Sequence, residues 1–250
     1  MDEPAPLSQT FGRQQVDEQE REQRIRRVFE QVAARYDLMN DLMSFGIHRL
    51  WKRSFVKLAA PRAGQRIVDL AGGTGDVAAL MAGPDRQVTV VDPSASMMEV
   101  GRARGHTHVD WLLGSAEALP LESASVDTLT IAFGIRNATR IDLALGEILR
   151  VLKPGGRFLC LEFSTPVFWL RPFYQFFSFA VIPRLGAWIA RSPEAYTYLV
   201  ESIRRFPNQA DFQRLIEAAG FTDVHFRNLS FGIACIHFGT RPPSDLPGLA

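Results

Sequence analysis

A glycine-rich turn with acidic neighbours follows a short apolar run near residue 70. The segment reads VDLAGGTGD over residues 68–76, with Gly73, Thr74 and Gly75 at its centre. Such a turn lets the backbone approach a ligand closely, and its spacing satisfies the G-x-G-x-x-G/A pattern of dinucleotide-binding turns. The pattern is weak by itself, and a plain tight turn between a strand and a helix is the alternative interpretation.

The charge at this turn separates two candidate ligands. A dinucleotide would bring a pyrophosphate next to Asp69 and Asp76, which would repel it unless both carboxylates point away. S-adenosylmethionine carries a sulfonium and an ammonium group and no phosphate, so that nearby carboxylates favour it. We therefore expect this methyl donor, bound by Gly73, Thr74 and Gly75, with the hydroxyl and amide of Thr74 on its carboxylate.

Two further positions fit a nucleoside. Asp92 ends the apolar segment QVTVVD, and an acid at such a strand end accepts hydrogen bonds from ribose hydroxyls. That role serves either ligand, and a solvated acid is the alternative. Ser115 and Ala116 follow the next apolar segment, where small residues would let backbone groups contact the adenine amino group. Met97 suits packing against adenine or in the core.

The elements that would position these residues alternate along the chain. Five apolar segments, RIVDL, QVTVVD, VDWLL, VDTLTIAF and RFLCLEF, are separated by helix-compatible stretches at 75–82, 94–104 and 141–152. Nearly all-apolar strands between helices imply a parallel sheet covered on both faces. Two later strands, FTDVHFRN and FGIACIHFG, lie too close in sequence to be parallel. The sequence predicts an α/β, doubly wound, mostly parallel seven-stranded sheet with an antiparallel C-terminal pair.

The flanking segments suggest how the chain is organised. Residues 1–20 are polar and acidic and are predicted to form a disordered tail, followed by a single domain over 21–250. Within it, 21–60 reads as a helical N-terminal cap that forms a lid over the donor or merely packs. Residues 166–205 begin with a strongly aromatic stretch that prolines and arginines interrupt, too broken for a membrane span. It would cover an apolar substrate, pack on the core or touch a membrane surface.

Composition excludes several classes of protein. The chain has 250 residues, 46% of them apolar, and a formal net charge of +1, which argues against nucleic acid as a partner. Cys160 and Cys235 lie far apart in apolar runs and read as reduced core thiols in a cytoplasmic protein without a signal peptide. His106 and His108 lack further ligands nearby, so no metal is expected. No G-x-S-x-G turn of a hydrolase occurs.

Longer motifs resemble one family. VDLAGGTGD, VVDPSASMMEVGR, AEALPLESASVDTLTIAFGIRN and LGEILRVLKPGGRFLCLEFSTP resemble successive motifs of class I methyltransferases, which have a Rossmann-like fold. VFEQVAARYDLMNDLMSFGIHRLWK, AYTYLVESIRRFPNQ and AGFTDVHFRNLSFGIACIHFG are similar to the flanking signatures of the ubiquinone/menaquinone biosynthesis C-methyltransferases. The resemblance extends from about residue 24 to 241.

The resemblance implies S-adenosylmethionine as methyl donor and a prenylated quinol as acceptor. The acceptors would be 2-polyprenyl-6-methoxy-1,4-benzoquinol, demethylmenaquinol or both. Thr74, Asp92 and the Ser115–Ala116 pair would bind the donor by position. The family usually has Asn or Asp where Ser115 stands and Ser where Ala132 stands, so contacts to adenine and to the methionine part of the donor differ there, and donor affinity is expected to be modestly weaker.

Carbon methylation needs a phenolate-like oxygen and a proton acceptor, because a quinol carbon becomes nucleophilic when its neighbouring hydroxyl loses a proton. Phenols titrate near about 10. Arg136 and Asn137 follow the fourth strand and are predicted to contact that oxygen, although Arg136 as a loop salt bridge is the alternative. Tyr36 and Asp37 are predicted to lie near the reacting atoms. His48 titrates in the range of a proton acceptor, but a lone histidine next to an arginine, here Arg49, is more often structural.

Other functions stay open at this stage. They are a nicotinamide-dependent oxidoreductase, a non-enzymatic assembly factor of a quinone-biosynthesis complex, and a methyltransferase acting on another aromatic or lipid-like acceptor. For partners, the sequence leaves open a homodimer, other quinone-biosynthesis enzymes and peripheral contact with the inner membrane surface.

Overall fold

The computed structural model describes residues 9–11, 14–33, 40–41, 44–176 and 193–243. Its central feature is a seven-stranded sheet with the strand order β3-β2-β1-β4-β5-β7-β6. The strands are β1 (Arg66–Leu70), β2 (Gln87–Asp92), β3 (Val109–Leu113), β4 (Val126–Ala132), β5 (Leu152–Phe163), β6 (Thr222–Leu229) and β7 (Ala234–Thr240).

The pairing confirms the predicted doubly wound fold. β1 to β5 pair in parallel with their neighbours, whereas β7 is antiparallel to both β5 and β6. The chain runs from β1 outward through β2 to β3 and then returns to β4 on the other side of β1. The crevice beyond the carboxyl ends of β1 and β4 is therefore the topological switch point, where open α/β sheets bind ligands.

Helices cover both faces of the sheet. They are α1 (Glu18–Val32), α2 (Ile47–Ala59), α3 (Asp76–Met81), α4 (Ala95–Ala103), α5 (Ile141–Val151), α6 (Arg171–Phe176), α7 (Pro193–Arg205) and α8 (Gln209–Ala218). Alternate residues of β1 enter different cores: Val68 and Leu70 pack with α5, and Ile67 packs with α2 and α3. This double burial explains why the parallel strands read as continuous apolar runs.

The N-terminal region differs from the predicted disordered tail. Thr10–Phe11 pairs with Gln14–Gln15 in a short antiparallel hairpin, and α1 begins at Glu18 with Asp17 as its N-cap. The ring of Phe11 is buried and stacks on Tyr198 at 4.7 Å between centroids. Apolar burial thus orders residues 9–11 and 14–20, although their composition is polar overall; residues 1–8 and 12–13 lie outside the described residues.

The predicted C-terminal covering segment is only partly described. Of the predicted segment 166–205, the structure describes residues 166–176, including α6, and α7, whereas residues 177–192 lie outside the described ranges. The helix predicted within 141–152 ends at Val151, and β5 already starts at Leu152, so the strand is longer than the predicted RFLCLEF. Within the described ranges, no helix has the length and apolarity needed to cross a membrane.

Candidate active site

A cavity opens at the switch point beneath α1; we call it the glycine-turn cavity. Its wall combines the carboxyl ends of β1, β2 and β4, the segments that follow β3 and β4, and one face of α1. The residues are Glu22, Ile25, Arg26, Phe29, Leu70, Ala71, Gly73, Asp92, Pro93, Ser94, Met97, Ser115, Ala116, Glu117, Ile131, Phe133, Gly134, Asn137, Ala138 and Thr139. α1 therefore has the position expected of a lid.

Asp92 links the glycine turn to the end of β2. Its Oδ2 accepts the amide of Gly73 and its Oδ1 accepts the amide of Ser94, both at 2.8 Å. Burial raises the pKa of Asp92 to about 6, while these two amides favour the carboxylate and limit the rise. Each oxygen keeps a second lone pair, so a fixed carboxylate at the cavity wall can accept hydrogen bonds from two adjacent hydroxyls.

The two acids that suggested a cationic ligand do not face this cavity. Asp69 is buried under the turn, where its carboxylate accepts hydrogen bonds from Thr130 Oγ1 (2.9 Å) and the amide of Ala78 (3.1 Å). Burial raises the pKa of Asp69 to about 7. Asp76 forms ion pairs with Lys52 at 3.0 Å and with Arg104, at the C-terminal end of α4, at 2.8 Å. The electrostatic reasoning from these two residues was wrong, because burial and pairing engage both carboxylates elsewhere.

Acidic character reaches the cavity through other residues. Glu22, Asp92 and Glu117 line it, against one cation, Arg26. The sequence reasoning missed Glu117, whose carboxylate accepts the hydroxyl of Ser115 on one oxygen and the amide of Thr139 (2.7 Å) on the other. Glu117 thereby joins the segment after β3 to the segment after β4.

The predicted donor-binding residues fall into two groups. Gly73, Asp92, Ser115 and Ala116 line the glycine-turn cavity. Among the residues described, its wall does not include three others, Thr74, Gly75 and Ala132. Thr74 is buried at 2% exposure, Gly75 is the N-cap of α3 with φ +80°, and Ala132 packs in the core beside α2. A role for these three in donor binding stays a prediction.

A second, more apolar cavity lies against the first; we call it the aromatic cavity. Its wall comes from α2 and the residues before it, the segment after β4, the end of β5, α6, α7 and the turn between β6 and β7. The residues are Asn40, Ser44, Phe45, Ile47, His48, Trp51, Phe133, Arg136, Phe163, Leu170, Phe173, Tyr174, Leu199, Ile203, Ser230 and Ile233. Phe133 lines both cavities, so this residue is their common wall.

The residue at this common wall has an uncommon backbone conformation. Phe133 has φ +57°, and Ala71, at the end of the neighbouring β1, has φ +50°. Left-handed conformations are unfavourable for residues with a Cβ and concentrate at functional sites. Aromatic packing holds the ring in place: its centroid lies 4.7 Å from that of Phe163 and 6.2 Å from that of Trp51.

Arg136 lies in the aromatic cavity as one member of a buried ion pair. Its Nη1 contacts Glu162 Oε1 at 2.8 Å, and the guanidinium stands over the Phe163 ring at 5.5 Å from the centroid. Burial raises the pKa of Glu162, and Arg136 opposes that rise. Among the described residues, Arg136 Nε and Glu162 Oε2 are buried without a hydrogen-bond partner. The salt-bridge interpretation of Arg136 is therefore correct, and the pair also offers unsatisfied donor capacity at the cavity.

Glu162 was not recognised from the sequence, although a signal was present. It is the one charged residue in the apolar strand segment RFLCLEF after its first position, and an acid in a buried strand needs a partner.

Asn137 and Arg136 line different cavities. Asn137 lines the glycine-turn cavity, and its side-chain oxygen accepts the hydroxyl of Tyr198 at 2.9 Å. The buried Arg21 of α1 donates to the carbonyls of Asn137 (3.1 Å) and Arg136 (3.3 Å), which ties the helix to this turn. The turn Ile135–Asn137 thus places adjacent side chains in different cavities. The predicted catalytic residues Tyr36 and Asp37 lie outside the described residues.

Comparison with known structures defines the class of the fold. A methyltransferase from Thermotoga maritima that depends on S-adenosylmethionine superposes with a TM-score of 0.65 at 23% identity, covering 87% of this chain and 99% of that one. A Haemonchus contortus N-methyltransferase in complex with S-adenosylhomocysteine superposes with a TM-score of 0.56 at 18% identity, covering 78% and 52%. The fold is that of the class I methyltransferases.

Sequence comparison defines the family. Residues 17–241 match the ubiE/COQ5 methyltransferase family. The ubiquinone/menaquinone biosynthesis C-methyltransferase UbiE of Rubrivivax gelatinosus is 77% identical over 99% of this chain and 98% of its own length. The protein of the same name from Caulobacter vibrioides is 49% identical over 93% and 97%. The chain belongs to the ubiE/COQ5 methyltransferase family, and its methyl donor is S-adenosylmethionine rather than a nicotinamide nucleotide.

The glycine-turn cavity fits this donor. Asp92 presents two oxygens that could each accept a ribose hydroxyl, and Ser115 and Ala116, predicted to lie beside the base, line the same cavity. A Cβ on Gly73 would come within 3.0 Å of Met97 Cε, so glycine keeps the turn open between the methionine and the cavity.

Proposed function

We propose that this chain transfers a methyl group from S-adenosylmethionine to a ring carbon of a prenylated quinol, as a C-methyltransferase of ubiquinone and menaquinone biosynthesis. The acceptors would be 2-polyprenyl-6-methoxy-1,4-benzoquinol, demethylmenaquinol or both. The observation that carries the proposal is the common wall. A cavity suited to a nucleoside and a cavity suited to an apolar ring meet at Phe133, so two bound molecules would approach each other there.

In the glycine-turn cavity, Asp92 would accept the ribose hydroxyls, and Ser115 and Ala116 would lie beside adenine. Gly73, Thr74, Gly75 and Ala132 are proposed to shape the site around the methionine part, Thr74 and Gly75 by fixing the turn from below. The donor, when bound, supplies an electrophilic methyl group whose positive charge disperses as the group is transferred. Exclusion of water by the covering helix favours such a step once both molecules are held close.

In the aromatic cavity, Arg136 would stabilise the negative charge that develops on the quinol oxygen. Its Nε has no hydrogen-bond partner among the described residues, and the ion pair with Glu162 holds the guanidinium in position. Preorganised donors of this kind lower a barrier because they need no reorientation during the reaction. A guanidinium stays protonated in proteins and cannot act as the base. Asn137, with Tyr36 and Asp37, is proposed to orient the reacting groups from the side of the donor.

The opening of the aromatic cavity carries exposed apolar side chains, which we call the aromatic rim. Phe45 and Phe173 line the cavity yet are 74% and 72% exposed, and Phe231, 65% exposed, packs against Trp169 at 5.4 Å between centroids. Phe168 beside them is 78% exposed. Exposed apolar clusters mark interaction sites, and a prenylated substrate resides in a membrane. We propose peripheral contact of this rim with the cytoplasmic surface of the inner membrane, with 166–205 and the N-terminal cap 21–60 covering the bound substrate.

The contact can be tested by sedimentation with phospholipid vesicles. Replacing Phe168 and Phe231, which are not in the cavity wall, by serine should reduce the bound fraction. Exposed Leu215, on α8, offers a control: Leu215→Ser should bind vesicles like the unaltered protein. If the protein with serine at Phe168 and Phe231 bound vesicles as well as Leu215→Ser and the unaltered protein do, a role of the aromatic rim would be contradicted.

The activity is tested with methyl-labelled donor and both demethylated quinols, followed by mass spectrometry of the extracted lipids. A labelled methyl on the ring carbon of either quinol is the expected result, and the product identifies which ring is accepted. Donor binding without product on either quinol would point to another aromatic or lipid-like acceptor. An assembly factor would instead predict that Arg136→Ala leaves quinone methylation in cells unchanged.

A further inference from the structure

The aromatic cavity contains one histidine near the start of α2. His48 is 4% exposed and belongs to the cavity wall together with Arg136 and Tyr174. These three are the ionisable side chains in that wall within the described part of the chain. A quinol that loses its hydroxyl proton in this cavity would have to give it to one of them or to water.

Two of the three cannot accept a proton near neutral pH. Arg136 stays a cation in its pair with Glu162. Burial raises the pKa of Tyr174 to about 12, so its hydroxyl stays protonated. Burial, followed by the charge of Lys52, lowers the pKa of His48, so its imidazole is neutral and has a lone pair to offer.

The hydrogen bonds around His48 determine which nitrogen carries that lone pair. The hydroxyl of Ser44 donates its single proton to the carbonyl of Asn40 at 2.7 Å. Ser44 Oγ also lies 2.7 Å from His48 Nδ1. Because the hydroxyl proton is already used, Nδ1–H must be the donor in this second contact. The neutral ring therefore has its proton on Nδ1 and its lone pair on Nε2.

The charges around the ring favour protonation only as a transient event. Asp41 Oδ1 lies 3.8 Å from Nε2 and would stabilise an imidazolium. Asp41 is itself held by Arg49 at 2.6 Å, and Lys52 is engaged by Asp76 at 3.0 Å. Burial and the two cations keep the resting ring neutral, whereas Asp41 and Asp76 limit the cost of charging it.

We propose that His48 is a catalytic base of this enzyme, accepting the quinol hydroxyl proton at Nε2; this role rests on the proposed function. The hydroxyl O–H bond breaks and an N–H bond forms, while Arg136 stabilises the phenolate. The adjacent ring carbon then forms a C–C bond to the donor's methyl carbon as the sulfur–methyl bond breaks, and the sulfonium becomes a thioether. The ring hydrogen at that carbon moves to the oxygen as the ring regains aromaticity, and His48 releases its proton to solvent. One proton leaves per turnover.

The test uses the full-length enzyme with a short-chain demethylated quinol and saturating donor. His48→Ala should lower kcat by about 100-fold or more, the usual contribution of a general base, and leave the donor dissociation constant within about twofold. Added imidazole should restore a substantial part of kcat in this variant and none in the unaltered enzyme, a result that a packing role would not give. His225→Ala is the matched control, because His225 is exposed on β6 and stacks on Phe238 outside the cavity.

The unaltered enzyme gives an independent measurement if His48→Ala does not fold. Its kcat at saturating donor should fall as pH is lowered through a value below the usual range of histidine, and His48→Asn should lose this limb. A pH-independent kcat, or imidazole without effect on a folded, donor-binding His48→Ala, would overturn the role of His48. Failure of the unaltered enzyme to methylate any quinol would instead overturn the proposed function and the role of His48 with it.

Discussion

The glycine-turn cavity and the aromatic cavity share Phe133 but are constructed in different ways. In the first, the polar group at the wall is held by backbone: both oxygens of Asp92 accept amides of the loops that end β1 and β2. In the second, polar side chains are positioned by other side chains: Arg136 by an ion pair with Glu162, and His48 by a hydrogen bond with Ser44. The first is built from sheet ends and one covering helix, and most of the second comes from segments outside the parallel strands.

This difference has consequences for sensitivity to mutation. Removing a carboxylate that is held by two backbone amides leaves those amides without an acceptor, at a cost of about 1–3 kcal/mol for each amide that stays buried. A buried ion pair leaves an uncompensated charge when one partner is removed, which costs about 3–5 kcal/mol of stability. Single substitutions should therefore affect stability less in the glycine-turn cavity than in the aromatic cavity, so that effects on function are easier to separate from effects on folding in the first.

The largest effect is expected at the Arg136–Glu162 pair. Arg136→Met should lower the free energy of unfolding by about 3–5 kcal/mol, because it leaves a buried carboxylate unpaired, and should lower kcat about 100-fold or more. Adding Glu162→Gln should recover most of the stability and little of kcat. Chemical denaturation and steady-state methylation measure the two quantities.

A double variant that regains both stability and kcat would show that Arg136 is structural only. Donor binding by calorimetry is the control, since Arg136 lines the aromatic cavity, and the dissociation constant of the folded double variant should stay within about twofold.

Substitution of Phe133 should affect both cavities, because this residue lines both of them. Phe133→Ala removes a ring that packs on Trp51 and Phe163, with an expected loss of about 3 kcal/mol in stability. Because Phe133 lines both cavities, its truncation is expected to misplace one or both ligands and to lower kcat by roughly 10- to 100-fold. Phe221→Ala, which removes a buried ring that packs on Phe158 and lies in neither cavity wall, is the control for aromatic truncation. A kcat unaffected by Phe133→Ala would mean that the ligands meet elsewhere.

Asp92 tests the glycine-turn cavity alone. Asp92→Ala should weaken donor binding about tenfold or more, or about 1.5 kcal/mol, by loss of charge-assisted hydrogen bonds. Burial raises the pKa of Asp92 to about 6, and the ionised form is the acceptor. The donor dissociation constant of the unaltered enzyme should therefore rise as pH falls through about 6 and stay flat above it.

The pH dependence has a specific control. Asp69 also has a raised pKa, about 7, but it lies under the turn and not in the cavity wall. Asp92→Asn should abolish the change near pH 6, and Asp69→Asn should leave it in place. The reverse result would assign the titration to Asp69 and would remove Asp92 from the site.

The same difference explains what could be predicted from sequence. The parallel strands, the switch point, and Gly73, Asp92, Ser115 and Ala116 at the cavity follow from contiguous motifs, because sheet ends place such residues by topology alone. The side-chain contacts of Asp69 and Asp76 could not be predicted from contiguous motifs, because they depend on residues distant in the chain. These are Thr130 for Asp69 and Lys52 for Asp76.

The aromatic cavity was less predictable for the same reason. Its wall joins residues from 40 to 233, and pairs such as Trp51 with Ser230, bonded at 2.9 Å, leave no signal in a single sequence. Arg136 and Asn137 are adjacent in the chain, yet the short turn that holds them sends each to a different cavity, which residue spacing did not reveal.

The smallest expected effect concerns Ser115 and Ala132, the two positions where the resemblance to the family predicts other residues. Ser115 lines the glycine-turn cavity, whereas Ala132 packs in the core beside α2. Ser115→Asn, which introduces a residue common in the family, should tighten donor binding by about two- to fivefold, the value of one neutral hydrogen bond. Ala132→Ser should leave the dissociation constant within about twofold, because its side chain is not in the wall. Calorimetry at pH 8, where Asp92 is ionised in both variants, makes the comparison. If Ala132→Ser tightens binding instead, the bound donor must reach beyond the glycine-turn cavity as far as Ala132.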